Sequence, residues 1–210
     1  MFMLGWRVFR ALLGDVVDPA RARRAAWIAG AVAVVVLVVS VVTDRATGWA
    51  GSGGVRPVLT VSFVTIGALA LVFACFPTAR AAGPDLRING RQVRPDQQLS
   101  ARSTVQPYLS RRQRPVAPED RAIVLNDVPL LQRGLVWRLS RLTPLLVGLA
   151  CGSAAVLVSG ERQPLVFLWP FFYLFLLPDL VVRIGRAERA RLAALAADPA
   201  PTTTTTEVAP

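Results

Sequence analysis

Very few side chains in this 210-residue chain have the chemistry for proton transfer, metal binding or nucleophilic attack. The chain has no His, and all 24 of its basic residues are Arg. Histidine is the commonest general base and metal ligand in proteins, and its absence removes the simplest routes to catalysis. The sequence also has no Gly-rich phosphate-binding loop. We therefore expect a protein that is not an enzyme and that holds no cofactor and no metal.

Asp179 is the acidic residue that the sequence places deepest within an apolar stretch. An ionisable group at membrane depth is costly and by default suggests a function, such as a proton relay or an ion site. However, Asp179 lies four residues before Arg183, and residues at this spacing meet on one face of a helix. We favour a paired carboxylate near the membrane interface. A small transporter or channel component, built around Asp179 and a kinked last span, is the alternative function.

The remaining acidic and thiol groups have simpler interpretations. Glu119 and Asp120 follow Pro118 and are more typical of the start of a helical turn than of a catalytic pair. Cys75 and Cys151 fall within apolar stretches, where Cys usually behaves as a small hydrophobic residue rather than as half of a disulfide.

Four long apolar stretches must position these groups. Each has about the length needed to cross roughly 30 Å of hydrocarbon as a helix, and backbone in lipid must satisfy its own hydrogen bonds. The fold that we predict is therefore an all-α membrane protein with four transmembrane helices, arranged as two antiparallel hairpins. The stretches are residues 25–43, 57–76, 142–159 and 164–182.

The arginines predict the orientation of these spans. Cytoplasmic segments of membrane proteins carry an excess of Lys and Arg, and here an arrangement with both termini inside places 21 Arg inside and 3 outside. We expect a multi-pass protein of the plasma membrane, and the Arg-for-Lys usage suggests a bacterial source. The predicted parts are a cytoplasmic N-terminal segment, a transmembrane hairpin, a basic cytoplasmic loop, a second hairpin and a cytoplasmic tail; they are residues 1–24, 25–76, 77–141, 142–183 and 184–210.

Three local patterns lie outside the spans. Apolar residues on one face of residues 1–17 predict an amphipathic helix in the membrane interface. Asn89-Gly90, between two short alternating runs, predicts a small β-hairpin. Asn126 or Asp127 is a candidate cap for an interfacial helix over residues 128–141, with Pro129 in its first turn.

Small residues recur on one face of the third span. Gly148 and Gly152 form a GxxxG pattern, and Ala155 extends it. Small residues let two helix backbones approach closely, which favours association where lipid removes the hydrophobic drive. We favour packing within the four-helix bundle, and self-association or docking onto a partner subunit is the alternative.

The basic loop is the candidate contact surface. A net charge of +11 would suggest nucleic acid in a soluble protein, but Arg next to apolar spans is better explained by topology and by anionic lipid headgroups. The leading hypothesis is an accessory or scaffolding subunit whose Arg-rich face contacts anionic lipid, a protein partner or a second copy, with no nucleic acid. The candidate headgroup ligands are Arg111, Arg112, Arg114, Arg138 and Arg141.

Overall fold

Five α-helices make up most of the part of the chain that the structure describes. The computed structural model describes residues 1–51, 53–80, 105–111, 114–160, 173 and 175–197, and the backbone of residues 87–88 and 91–92. Most of the predicted fourth span, Arg112, the Asn89-Gly90 pair and residues 198–210 of the predicted tail lie outside these residues. The helices are α1 (Phe2–Val16), α2 (Pro19–Thr47), α3 (Arg56–Cys75), α4 (Arg121–Ser159) and α5 (Leu176–Ala196).

Three of the helices are long and apolar enough to cross a membrane. They are α2, α3 and α4, with mean hydropathies of 2.7, 2.4 and 1.9 over their most apolar windows. Only 22–28% of each window is buried inside the protein. On α2, for example, Val35 and Val42 are 61% and 62% exposed. Apolar surface of this extent is stable only against lipid or another apolar partner, so the chain is a membrane protein.

The sequence sets the ends of α2. The Asp18 carboxylate accepts a hydrogen bond from the backbone N–H of Ala20 (3.0 Å), and Pro19 occupies the first helical position. This is the usual chemistry of a helix start. The helix stops at Gly48, whose φ of 64° suits glycine. The Asp44 carboxylate then accepts from the N–H of Ala50 (2.9 Å), which ties the connector back onto the helix.

Helix α4 differs from the prediction at its start. It begins at Arg121 and runs without interruption for 39 residues, through Pro129 and Pro144. The predicted cap at Asn126 or Asp127 is therefore wrong, because both residues lie inside the helix and Asp127 is 2% exposed. The predicted surface helix is the first half of this continuous helix. At about 1.5 Å per residue α4 is about 58 Å long, nearly twice the hydrocarbon thickness of a bilayer.

The helices meet at two distinct ends. At one end the α2–α3 connector lies beside the end of α4, with Gly51 close to the carbonyl of Ser159. At the other end the chain after α3 pairs with the end of α1: the N–H of Asp18 donates to the carbonyl of Thr78, and that of Arg80 donates to Val16, each at 2.9 Å. The first half of α4 and most of α5 continue from this second end, which we name the Arg-rich end.

Two apolar clusters hold the Arg-rich end together. In one, the middle of α4 packs against α5 and α1; its buried members are Leu135, Val136, Leu139, Leu180, Val181 and Ile184. In the other, the start of α4 packs against the end of α5 and two loop residues; its buried members are Val105, Val116, Val124, Val128, Ala187, Ala190 and Ala194. This part of the molecule therefore has an ordinary packed core.

Short segments complete the described chain. A 3-10 helix covers Gln106–Leu109, and another covers Pro118–Asp120 directly before α4, so Glu119 and Asp120 lie in a helical turn as predicted. Arg87–Ile88 pairs antiparallel with Arg91–Gln92, at the place where Asn-Gly predicts a hairpin.

Candidate functional site at the Arg-rich end

A polar link crosses the contact between α4 and α5. The side chain of Gln132 is 3% exposed, and its Nε2 donates a 2.7 Å hydrogen bond to Oε2 of Glu188. The other carboxylate oxygen of Glu188 pairs with Nη1 of Arg191 at 3.1 Å. A mostly buried carboxylate is stable only when it is paired and hydrogen-bonded, and Glu188 has both kinds of partner. The carboxylate of Glu188 therefore serves to join the two helices.

Two arginines fasten the ends of this contact. Nε of Arg121 donates to the carbonyl of Ala194 at 3.0 Å, and that carbonyl belongs to the last turn of α5, where helices leave carbonyls without backbone partners. Nη2 of Arg189 donates to the carbonyls of Ser110 (2.7 Å) and Arg111 (3.3 Å). The segment before α4 is thereby fixed against α5.

Tyr108 joins the same segment to the start of α4. Its hydroxyl donates a 2.8 Å hydrogen bond to Oδ2 of Asp120 and accepts one from the N–H of Ala117 (3.4 Å). The pKa of Tyr108 is raised above its usual value of 10.0, mainly by the hydrogen bond to Asp120 and to a smaller extent by partial burial. We name the unit that these links hold together, residues 105–111, 114–141 and 180–197, the α4–α5 module.

Four of the five predicted headgroup arginines lie on the surface of this module. Arg111, Arg114, Arg138 and Arg141 are all exposed, and Arg112 lies outside the described residues. The guanidinium of Arg141 lies 5.8 Å from the centre of the Trp137 ring. These four arginines therefore place cationic groups on the outer surface of the module.

The N-terminal helix repeats the tryptophan–arginine arrangement. The guanidinium of Arg10 lies 5.2 Å from the centre of the Trp6 ring, and Trp6 also stacks on Phe9 at 5.3 Å. In both helices the arginine follows its tryptophan by four residues, which places the pair on one face. An indole with a cation over it combines an apolar body with a polar edge, a combination that suits the headgroup region of a bilayer.

Asp179 lies in the first turn of α5 and forms the ion pair that the spacing predicts. Its Oδ2 accepts from Nε of Arg183 at 2.8 Å. The two side chains are 45% and 61% exposed in the protein, so the pair lies on its outer surface. A carboxylate in the first turn also interacts favourably with the helix dipole.

The small residues of α4 divide into two groups. Gly148 packs directly on α3, because a Cβ built on Gly67 of α3 would lie 3.2 Å from the carbonyl oxygen of Gly148. Ala155 is buried as well, at 3% exposure. Nothing lies within 4 Å of a Cβ built on Gly152. The backbone nitrogen of Gly152 nevertheless lies 3.4 Å from a Cβ built on Gly67, so Gly152 borders the α3–α4 contact while its own Cβ position is open.

A second close crossing, between α1 and α5, was not predicted. A Cβ on Gly5 would overlap the carbonyl oxygen of Val181, and one on Gly185 would overlap the carbonyl of Met1. The available signal was the presence of glycine inside each amphipathic helix, since such a glycine costs about 1 kcal/mol relative to Ala and usually has a packing reason. This crossing seats α1 on the module.

No protein-family model matches this chain, and neither a curated protein nor a solved structure matches it. Among the residues that the structure describes, no group of three or more Cys, Asp and Glu side chains is arranged to hold a metal ion. Functional inference therefore depends on the geometry given above.

Proposed function

We propose that this protein is a non-catalytic accessory or scaffolding subunit of the bacterial plasma membrane, with both termini in the cytoplasm. Its spans anchor the α4–α5 module, and the exposed arginines of that module contact the anionic lipid of the inner leaflet. We propose a contact surface rather than an active site, because the polar groups that meet between α4 and α5 are engaged in joining the two helices.

The observation that carries this proposal is the continuity of α4. A single 39-residue helix supplies both a membrane span and one side of the packed module. A flexible tether would allow the module to diffuse away from the bilayer, whereas a continuous helix holds it at a fixed height and angle. Contact with α5 and α1 adds lateral rigidity. A rigidly mounted basic surface is suited to positioning something at the membrane.

The orientation can be tested by labelling with a membrane-impermeant maleimide. Val55→Cys and Glu119→Cys place exposed thiols at opposite ends of the bundle, in a background where Cys75 and Cys151 are replaced by Ser. We expect Cys at 55 to react in intact cells and Cys at 119 to react only after permeabilisation. Equal labelling of both positions in intact cells would show that the proposed orientation is wrong.

The lipid contact can be tested with an environment-sensitive fluorophore on the same Cys at position 119. In vesicles we expect anionic lipid to shift its emission and high salt to reverse the shift, because exposed charges are screened over about 10 Å or less at physiological ionic strength. Replacing Arg111, Arg114, Arg138 and Arg141 with Gln should remove the response. The proposal fails if the emission is the same in neutral and anionic vesicles.

A further inference from the structure

An apolar cavity of about 440 Å³ lies where α1, α3 and α4 meet. Its walls include Phe9 and Leu13 of α1, Leu69 and Phe73 of α3, and Pro144 and Val147 of α4. This volume falls within the roughly 300–1,000 Å³ of small-molecule sites. None of the polar links within the α4–α5 module involves its lining residues.

The chemistry of the walls selects hydrocarbon. The hydroxyl of Ser140 donates to the carbonyl of Trp137 (2.9 Å), and that of Thr143 donates to Leu139 (2.7 Å). The hydroxyl donors of these two wall residues are therefore satisfied within their own helix. The cavity is partly open to its surroundings, and water in it would need two to four polar partners that these mostly apolar walls do not offer. An apolar chain is the occupant that these walls favour.

The cavity lies next to the place where a lipid headgroup would be. Val17 and Thr78 belong to its lining, and both are part of the backbone pairing that joins the end of α1 to the chain after α3. That pairing stands between two spans, at the point where α2 begins and α3 has ended. Hydrocarbon therefore lies on one side of it and the polar end of the bundle on the other.

Positive charge surrounds this end of the cavity. Nη1 of Arg21 donates to the carbonyl of Ala79 at 3.4 Å, which holds its guanidinium over the pairing. Arg80 follows directly and is exposed. Asp18 balances only part of this charge, through a 3.4 Å ion pair with Arg21 whose Arg side chain stays 53% exposed. An anion is the complement of this local charge.

We propose that the cavity binds one acyl chain of an anionic phospholipid, with the lipid phosphate held by Arg21 and Arg80. The occupant is thus a membrane lipid with a net negative headgroup, seated between the interfacial helix and two spans. The inference depends on the proposed function only in assigning this lipid to the inner leaflet. Binding by the purified protein does not depend on orientation, so the labelling experiment above and the experiment below can fail independently.

The test is lipid binding to the full-length protein in detergent, followed by native mass spectrometry. Phosphatidylglycerol and phosphatidylcholine with the same chains are added in parallel. Val147→Trp fills the cavity, and Leu149→Trp adds the same side chain to the exposed face of the same helix as a matched control. We expect the first variant to lose at least about tenfold in affinity for the anionic lipid and the second to bind as the unaltered protein does.

Two double variants that carry the same net charge as each other test the headgroup assignment. We expect Arg21→Gln/Arg80→Gln to remove the preference for phosphatidylglycerol over phosphatidylcholine. Arg45→Gln/Arg56→Gln, at the opposite end of the bundle, should keep it. If both double variants lose the preference equally, long-range charge explains it and the assignment to Arg21 and Arg80 is wrong.

A measurement on the unaltered protein covers the case in which Val147→Trp does not fold. A phosphatidylglycerol with a photoreactive group near the end of one acyl chain is crosslinked and the adducts are mapped. We expect adducts to concentrate on the cavity walls, at Leu69, Phe73 and Val147. Adducts spread evenly over lipid-facing residues such as Val35 and Val38 of α2 would overturn the proposal, as would unchanged lipid binding by a folded Val147→Trp variant.

Discussion

The two halves of α4 pack against their neighbours by different means. Residues 142–159 lie against α3, where Gly148 and Gly67 bring the two backbones close together. Residues 121–141 lie against α5, where buried aliphatic side chains form the contact and the Gln132–Glu188 hydrogen bond crosses it. A 39-residue helix is too long for the bilayer, so the two halves occupy different surroundings.

Lipid around the second half of α4 and water around the first half would account for this difference. In lipid there is no hydrophobic drive between helices, and close approach of small residues supplies the contact. In water, burial of aliphatic surface drives association at about 25 cal/mol per Å², and polar links add specificity. Substitutions on α4 and its partners should therefore have costs that depend on which half they touch.

The largest effect should come from the aliphatic core beside the first half of α4. Ile184 is fully buried on α5, and Ile184→Ala should reduce the stability of the module by about 2–5 kcal/mol because it leaves a cavity. Leu192, on the same helix, is 49% exposed, and Leu192→Ala should change stability by about 0.5 kcal/mol or less. Hydrogen exchange of the α5 amides in micelles measures both. Equal losses of protection would contradict the assignment of Ile184 to a core.

The next effect should come from the small-residue contact in the second half. A Cβ at Gly148 would lie 2.6 Å from Cγ of Leu71 and 3.1 Å from the carbonyl oxygen of Gly67. Gly148→Ala should therefore destabilise the α3–α4 pair by about 1–3 kcal/mol. Gly152→Ala, one turn away in open space, should be neutral or slightly stabilising. Thermal unfolding in micelles distinguishes them, and the reverse order would show that the GxxxG face lies elsewhere.

Sequence reasoning located Gly148 because the relevant signal is local. Hydropathy over about 20 residues identifies α2, α3 and the second half of α4, and spacing along one helix identifies its small-residue face. The same holds for the Asp179–Arg183 pair, whose members are four residues apart on one helix. These features need no knowledge of which helices meet.

Features that depend on distant segments were not predicted. Gly5 and Gly185 contact each other across 180 residues of sequence, so no periodic pattern connects them. The start of α4 was placed too late because Asp127 and Pro129 resemble a helix start, whereas both residues lie inside the helix and Asp127 is buried. Gln132 and Glu188 were overlooked for the same reason, since each resembles an ordinary polar residue until its partner is known.

The polar link across the first half of α4 should contribute less than the core. Gln132→Leu removes a donor from a mostly buried carboxylate and should cost about 1–2 kcal/mol. Because Glu188→Gln weakens the same hydrogen bond, the double variant should lose less than the sum of the two single variants. Hydrogen exchange of all three variants measures the coupling. Strict additivity would mean that the two side chains do not interact in solution.

Alkaline pH provides a milder test of the segment before α4. The pKa of Tyr108 is raised in the folded protein, so its neutral phenol stabilises the fold below the unfolded value of about 10. This contribution should decline as the pH rises from about 10 through the folded pKa, because the unfolded chain then binds fewer protons. Tyr108→Phe should lose one hydrogen bond, about 0.5–1.5 kcal/mol at neutral pH, and should lack this alkaline decline. Absorbance titration in a Tyr173→Phe background, which leaves a single tyrosine, locates the pKa; a value at or below 10 would contradict the contact with Asp120.

The smallest effect should come from the Asp179–Arg183 ion pair. Both side chains are about half exposed, and solvent screening should reduce their contribution to about 0.5 kcal/mol or less. Asp179→Asn and Arg183→Gln should then both have small effects on unfolding, and Asp179→Asn should have the larger one because it also loses the interaction with the helix dipole. The same variants separate the two proposed functions, because a transporter or channel component built around Asp179 requires that carboxylate for flux. The measurement is proton or solute flux in reconstituted vesicles. If Asp179→Asn abolishes such flux and Arg183→Gln preserves it, transport would replace the scaffold interpretation.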